Sequence, residues 1–96
     1  MGMVMSIMEA EMPPEKAAKL EANFADGVKL LDAGLNQMFF IRNGNKCKII
    51  ALWESKEAFF AMKSKGTPKG VLMFRYAGVE PSLLAYDVVN SASKGK

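Results

Sequence analysis

Residues 34–62 constrain the fold more than any other stretch, because their pattern predicts two adjacent strands that lead into a helix. The Asn-Gly-Asn segment at 43–45 provides the turn between the strands, since Asn and Gly adopt positive φ angles at little steric cost. The segments on either side, MFFI at 38–41 and IIALW at 49–53, are rich in aromatic and β-branched residues, as strands are. Ser55 then stands where an N-cap would begin a helix.

A strand and a helix are predicted ahead of this hairpin. Residues 4–12 alternate weakly and are apolar on both faces, which is typical of a central strand covered on two sides. Pro13 and Pro14 suit a helix start, where a missing N–H costs nothing. An apolar stripe predicts that the helix runs from Pro14 to about Leu31, with Gly34 as the residue that closes it.

The rest of the chain completes the set of elements. A second helix is predicted over about 56–65, and a last strand over 82–89. Residues 69–78 fit either a short helix or an irregular excursion, and residues 91–96 fit a disordered tail. The residues that the second helix is expected to bury are Phe59, Met62 and Phe60.

The order βαββαβ predicts an α+β fold of the ferredoxin-like type, a four-stranded antiparallel sheet with two helices on one face. The other face of this sheet is also apolar, so it needs a cover. A second copy of the chain, packed sheet against sheet in an isologous homodimer, would provide that cover. Ninety-six residues leave room for one hydrophobic core, so residues 1–90 are predicted to form a single domain.

Composition argues against several functional classes. The net charge of +3 comes partly from Lys94 and Lys96 in the tail. The sequence has no basic stripe, so nucleic-acid binding is not predicted. No apolar run approaches the ~20 residues of a membrane span. The first twelve residues lack the basic start of a secretory signal, and Glu9 and Glu11 interrupt their apolar run. A single cysteine, Cys47, fits a reducing compartment, so a cytoplasmic location is expected.

Three short segments of the chain resemble a known family. Gly34-Leu35, Met38-Phe39 and the run IALWESKEAF at 50–59 are similar to the signature of the antibiotic biosynthesis monooxygenase domains. That resemblance covers residues 4–89 and implies a dimeric α+β barrel with a pocket between sheet and helices. The spacing is also similar to that of the IsdG-type heme-degrading monooxygenases, a branch of the same superfamily.

The resemblance implies positions for functional residues, and this chain departs from the heme-degrading pattern at all of them. Those enzymes carry an Asn on the first strand, a Trp late in the second helix and a His after it. The corresponding residues here are Met8, Met62 and about Leu72, and the chain contains no histidine. Tyr76 or Cys47 could ligate iron in place of the histidine. No cofactor is therefore predicted, with heme as the alternative.

Other side chains are candidates for a ligand pocket. Trp53 either stacks on a planar ligand or simply packs between strand and helix, and packing is the favoured interpretation. Arg75 and Tyr76 either orient an anionic or quinone-like ligand or serve as a solvated residue and a half-buried anchor. The predicted pocket-lining set is Met8, Asn36, Trp53, Phe59, Met62, Arg75 and Tyr76.

The resemblance and the departures from it leave two functions open. The first is a monooxygenase without metal or flavin that acts on a small aromatic or quinol-like substrate. The second is a dimeric protein that binds a small apolar or aromatic ligand, heme included, and has lost the family's catalytic residues. No motif predicts a metal site, and general acid–base work would fall to Glu, Lys or Tyr because His is absent.

Overall fold

Four strands form one antiparallel sheet in the order β2-β3-β1-β4, with the helices packed on one of its faces. The computed structural model describes residues 2–27 and 33–92. The predicted ferredoxin-like order is confirmed, with one further short helix before the last strand. Along the chain the elements are β1 (Val4–Glu11), α1 (Pro14–Gly27), β2 (Leu35–Asn43), β3 (Lys46–Trp53), α2 (Lys56–Ser64), α3 (Lys69–Tyr76) and β4 (Ser82–Asp87).

The predicted hairpin has a two-residue turn. Asn43 pairs with Lys46, so Gly44 and Asn45 form the loop, and Gly44 takes the positive φ of 61°. Asn45 does not adopt a positive φ, and its carbonyl instead accepts a 2.8 Å hydrogen bond from the Met12 amide. Only the glycine therefore uses the conformational freedom that the Asn-Gly-Asn pattern offers.

The junction between the hairpin and α2 is close-packed. The Ala58 amide donates to the Ser55 hydroxyl at 3.1 Å, which confirms Ser55 as the N-cap. Gly34 has a φ of 85°, and its carbonyl accepts a 2.8 Å hydrogen bond from the Glu54 amide. A Cβ atom placed on Gly34 would lie 2.5 Å from the Ala58 Cβ, so the chain needs glycine here for both its φ and its lack of a side chain.

Strand alternation separates the two faces of the sheet. The side chains of β1 and β3 that face the helices are almost completely buried; they are Val4, Ser6, Met8, Cys47, Ile49, Ala51 and Trp53. The opposite face is open and carries exposed apolar side chains on the two outer strands: Phe39 and Ile41 on β2, Leu84 and Tyr86 on β4. We call these four residues and their neighbours on this face the open face.

Residues 69–78, which the sequence left ambiguous, contain helix α3. It buries Val71, Met73 and Phe74 against the sheet and α1, so its pattern was that of a short core helix. Tyr76 lies on its outer side and is 74% exposed, so the prediction of a half-buried anchor is wrong. Phe74, two residues earlier, is the fully buried aromatic of this helix.

Several predicted boundaries change. Strand β4 ends at Asp87 rather than at residue 89, and Phe60 of α2 is 56% exposed instead of buried. The predicted continuation of the first helix to Leu31 and most of the predicted tail, residues 93–96, lie outside the described residues. No helix in the described part of the chain is long and apolar enough to cross a bilayer.

Candidate functional site

A small apolar cavity lies between the sheet and the helices. The volume that the centre of a water molecule can occupy is about 20 Å³, so the cavity has room for roughly one water. Strands β1 and β3 form its floor through Ser6, Met8, Ala51 and Trp53. The walls are completed by Gly27 of α1, Leu35 and Met38 of β2, Met62 of α2, Pro68, Lys69, Gly70 and Met73 at α3, and Leu83 of β4.

A β-bulge in β2 brings two of these wall residues to the same face. Leu35 pairs with Trp53, whereas Gln37 pairs with Leu52, so Asn36 is the extra residue of the bulge. Without the bulge, positions 35 and 38 would point to opposite faces because strand side chains alternate. The bulge therefore directs both Leu35 and Met38 toward the cavity and leaves Asn36 exposed.

Two methionine side chains pack closely against glycines at the cavity. A Cβ on Gly70 would clash with the Met8 methyl group, and a Cβ on Gly27 would clash with the methyl group of Met73. The ends of these two methionines thus occupy notches that the glycines leave open. Because methionine has three rotatable side-chain bonds, these ends can move aside more easily than branched or aromatic side chains.

One buried polar contact lies at the cavity floor. The indole Nε1–H of Trp53 donates to the Ser6 hydroxyl oxygen at 3.2 Å, and both residues are at most 3% exposed. On its other side Trp53 makes an edge contact with Phe59, with ring centroids 6.0 Å apart. Trp53 therefore packs between strand and helix, which is the interpretation favoured on the sequence, and it also forms a wall of the cavity.

Ionisable groups are scarce at this site. Lys69 is the one ionisable side chain among the described cavity residues, and it is exposed at the rim. Cys47 lies deeper in the core and does not line the cavity; burial raises the pKa of its thiol, and Arg42 opposes this only in part. The described residues contain no group of three or more His, Cys, Asp or Glu that could hold a metal ion.

Three of the seven predicted pocket residues meet at this cavity: Met8, Trp53 and Met62. Phe59 is buried behind Trp53, and Asn36 is exposed in the bulge. Sequence reasoning missed the floor residue Ser6, although its alternation with Val4 and Met8 already placed it on the buried face of β1. It also missed Gly70 and Met73, because α3 was not assigned as a helix.

Arg75 and Tyr76 do not reach the cavity. The Arg75 guanidinium donates two hydrogen bonds to the Glu80 carboxylate, at 2.8 and 3.0 Å, on the protein surface. This pairing lowers the pKa of Glu80 and raises that of Arg75. Tyr76 lines a shallow depression on the outside of α1 and α3. Both side chains face outward because Met73 and Phe74 take the inward positions of α3.

No family model matches the sequence, and no curated protein sequence matches it. Solved structures do match. SnoaB, a cofactor-independent oxygenase from Streptomyces nogalater, aligns with a TM-score of 0.66 and 14% identity over 100% of both chains. The heme-degrading protein Rv3592 from Mycobacterium tuberculosis gives a TM-score of 0.66 and 23% identity, covering 96% of this chain and 97% of that one.

A candidate antibiotic biosynthesis monooxygenase from Caulobacter crescentus aligns with a TM-score of 0.67 and 22% identity, covering 93% of this chain and 92% of that one. The chain has the fold of these proteins. The fold expected from the resemblance of residues 34–59 to the antibiotic biosynthesis monooxygenase domains is thereby confirmed. Identities this low establish the shared fold and leave the reaction to the residues of the site.

The residues of this site do not fit heme. The positions that correspond to the Asn, Trp and His of heme degraders hold Met8, Met62 and Leu72, none of which offers a nitrogen ligand. The two alternative iron ligands are misplaced, since Tyr76 points outward and Cys47 does not line the cavity.

Proposed function

We propose that this protein is an antibiotic-biosynthesis-monooxygenase-like oxygenase that uses neither metal nor flavin. Its substrate is a small aromatic or quinol-like molecule bound in the cavity between the sheet and the helices. The observation that carries this proposal is the apolar cavity walled by Trp53, in a fold shared with a cofactor-independent oxygenase. A cytoplasmic location, suggested by the single cysteine, is part of the same proposal.

Such a reaction needs a substrate that supplies its own electrons. For a methylene group between aromatic rings the balance is R₂CH₂ + O₂ → R₂C=O + H₂O, in which the substrate gives all four electrons to oxygen. The cavity would contribute by excluding water, by placing the ring plane against Trp53 and by holding the substrate oxygen. The methionines around Gly27 and Gly70 would have to move aside to admit the substrate.

Oxygen consumption with a panel of quinols and anthrone-like compounds tests this function. We expect turnover that stops under anaerobic conditions and produces a ketone or quinone by mass spectrometry. Met62→Phe, which places a ring in the cavity, should lower the rate at least tenfold. Ala61→Phe is the matched control, because Ala61 is on the exposed side of the same helix. Absence of oxygen uptake with every compound would contradict the proposal.

A specific observation favours a second function, a non-catalytic protein that binds a small apolar ligand. Lys69 at the rim is the one described cavity residue that can transfer a proton, and the chain has no histidine. For this function we expect a planar apolar ligand to raise the melting temperature while the ligand itself is recovered unchanged. A product detected by mass spectrometry would exclude it.

Either function is proposed for a homodimer joined through the open face. Phe39, Ile41, Leu84 and Tyr86 are each 44–54% exposed on this face, an unusual concentration of apolar surface for a small sheet. A second copy, packed sheet against sheet, would cover these side chains by an isologous contact. The cavity lies on the opposite side of the sheet, so dimerisation would leave it accessible.

A further inference from the structure

The cavity floor has one hydroxyl group that accepts a hydrogen bond but donates none to the described residues. Ser6 is 1% exposed, and its oxygen accepts a hydrogen bond from the Trp53 indole. The hydroxyl proton has no acceptor among the residues that the structure describes. A buried donor without a partner costs free energy, so it is a feature that a ligand would be expected to satisfy.

The Trp53 contact also sets the direction in which this hydroxyl can donate. Because the indole N–H occupies one lone pair of the Ser6 oxygen, the hydroxyl proton is left to point elsewhere, and the cavity lies beside it. Hydrogen bonds in such a chain polarise one another, so donation by Trp53 strengthens donation by Ser6. Besides Ser6 and Trp53, Lys69 at the rim is the one side-chain hydrogen-bond donor among the described wall residues.

Small neighbours leave the hydroxyl accessible from inside the cavity. Ser6 pairs with Ala51 on β3 and with Ala85 on β4, so no long side chain from an adjacent strand covers it. Met8 and Met73, whose flexible ends contact Gly70 and Gly27, line the same cavity. A ligand that displaces these ends would reach the hydroxyl with its polar atom.

We propose that Ser6, oriented by Trp53, is the residue that selects an oxygen-bearing ligand and positions its oxygen in the cavity. The ligand class is an apolar aromatic compound with one acceptor oxygen, such as a phenol, quinol or ketone. This inference rests on the proposed function of the cavity, and it adds the group that distinguishes the substrate from a plain hydrocarbon. Ser6 acts as a positioning residue, since no bond to it is made or broken.

Binding of 1-naphthol and naphthalene tests this role, because the two probes differ by one oxygen. Methyl NMR on ¹³C-methionine-labelled protein gives both the affinity and the place, as Met8, Met62 and Met73 all line the cavity. We expect the wild type to bind 1-naphthol about threefold to tenfold more tightly than naphthalene, the range for one neutral hydrogen bond. In Ser6→Ala this ratio should fall to about one, whereas Ser82→Ala, on an exposed strand position, should keep it.

Ser6→Ala leaves the buried Trp53 indole N–H without an acceptor, which by itself lowers stability. The double variant Ser6→Ala/Trp53→Phe is therefore measured as well, because it removes both polar groups. A ratio near one in both variants supports the inference, because a merely structural role would weaken the two probes equally. An unchanged ratio, with both probes still shifting the methyl signals, overturns the inference and leaves the cavity function intact. No binding of either probe to the wild type overturns both. A naphthol preference without oxygen turnover retains the inference and removes only the oxygenase.

Discussion

Lysine in place of Phe39 should dissociate the proposed dimer. Phe39 and Tyr86 are 44% and 54% exposed on the open face. An aromatic side chain has a total surface of roughly 200 Å², so about 100 Å² of each ring remains exposed to water in the monomer. Burying that area in a dimer is worth ~2.5 kcal/mol at ~25 cal/mol per Å². By symmetry a dimer loses two Phe39 rings in the variant. The expected loss is ~4–5 kcal/mol, or about a thousandfold in the dimer dissociation constant.

Sedimentation velocity over a range of concentrations measures this constant directly. The matched control is Phe60→Lys, because Phe60 is 56% exposed but lies on α2, away from the open face. Both variants remove a partly exposed ring and add one positive charge. We therefore expect Phe39→Lys to be monomeric at concentrations where the wild type and Phe60→Lys are dimeric.

Two results would refute this reasoning. A wild type that is monomeric at every concentration would show that the open face is not covered by a second copy. Equal weakening by Phe39→Lys and Phe60→Lys would show that the added charge, and not the face, determines association. Circular dichroism should confirm that both variants keep the wild-type fold, because each ring is partly solvated already.

The remaining predictions concern stability, followed by urea unfolding through the fluorescence of the single tryptophan. Gly34→Ala should lower the free energy of unfolding by ~2–4 kcal/mol, because Gly34 has a positive φ and a Cβ there would lie 2.5 Å from the Ala58 Cβ. Gly44→Ala should lower it by only ~1–2 kcal/mol, because Gly44 has a positive φ but no atom within 4 Å of the added Cβ. Equal losses would show that the contact with Ala58 does not matter. Burial raises the pKa of the Cys47 thiol, so the unfolded chain releases this proton at lower pH, and stability should fall as pH rises above about 8.5. This alkaline fall should be shallower in Cys47→Ala, and identical slopes would argue against a buried neutral thiol. Met8→Ala should destabilise by ~2–5 kcal/mol while tightening the binding of 1-naphthol, and weaker binding would mean that Met8 holds the ligand and does not obstruct it.

Local sequence signals predicted the hairpin and its cap well. The turn at Gly44, the N-cap Ser55 and the helix start at Pro14 each depend on a few neighbouring residues, so their chemistry can be identified from the sequence. The order of elements followed from these signals, and the fold class followed from the order. The dimer was predicted from the apolar second face of the sheet, and it stays a prediction.

The candidate site was predicted only in part, for a physical reason. Met8, Trp53 and Met62 were found because they occupy inward positions of elements that were assigned correctly. Arg75 and Tyr76 were chosen for their chemistry within a segment of unknown structure. Once that segment is helix α3, its apolar residues take the inward positions and these two point to solvent.

The sequence by itself determined the four strands and the first two helices, although not α3, because propensity and alternation act between near neighbours. The tertiary structure decided which side chains come together at the cavity. Ser6 and Trp53 are 47 residues apart in the chain and come together because β1 and β3 pair in a register that sets Trp53 opposite Val4, diagonally across from Ser6 on the same face. The bulge at Asn36 likewise depends on pairing with β3, and it alone directs both Leu35 and Met38 into the cavity. Contacts of this kind depend on strand register, which a local pattern does not specify.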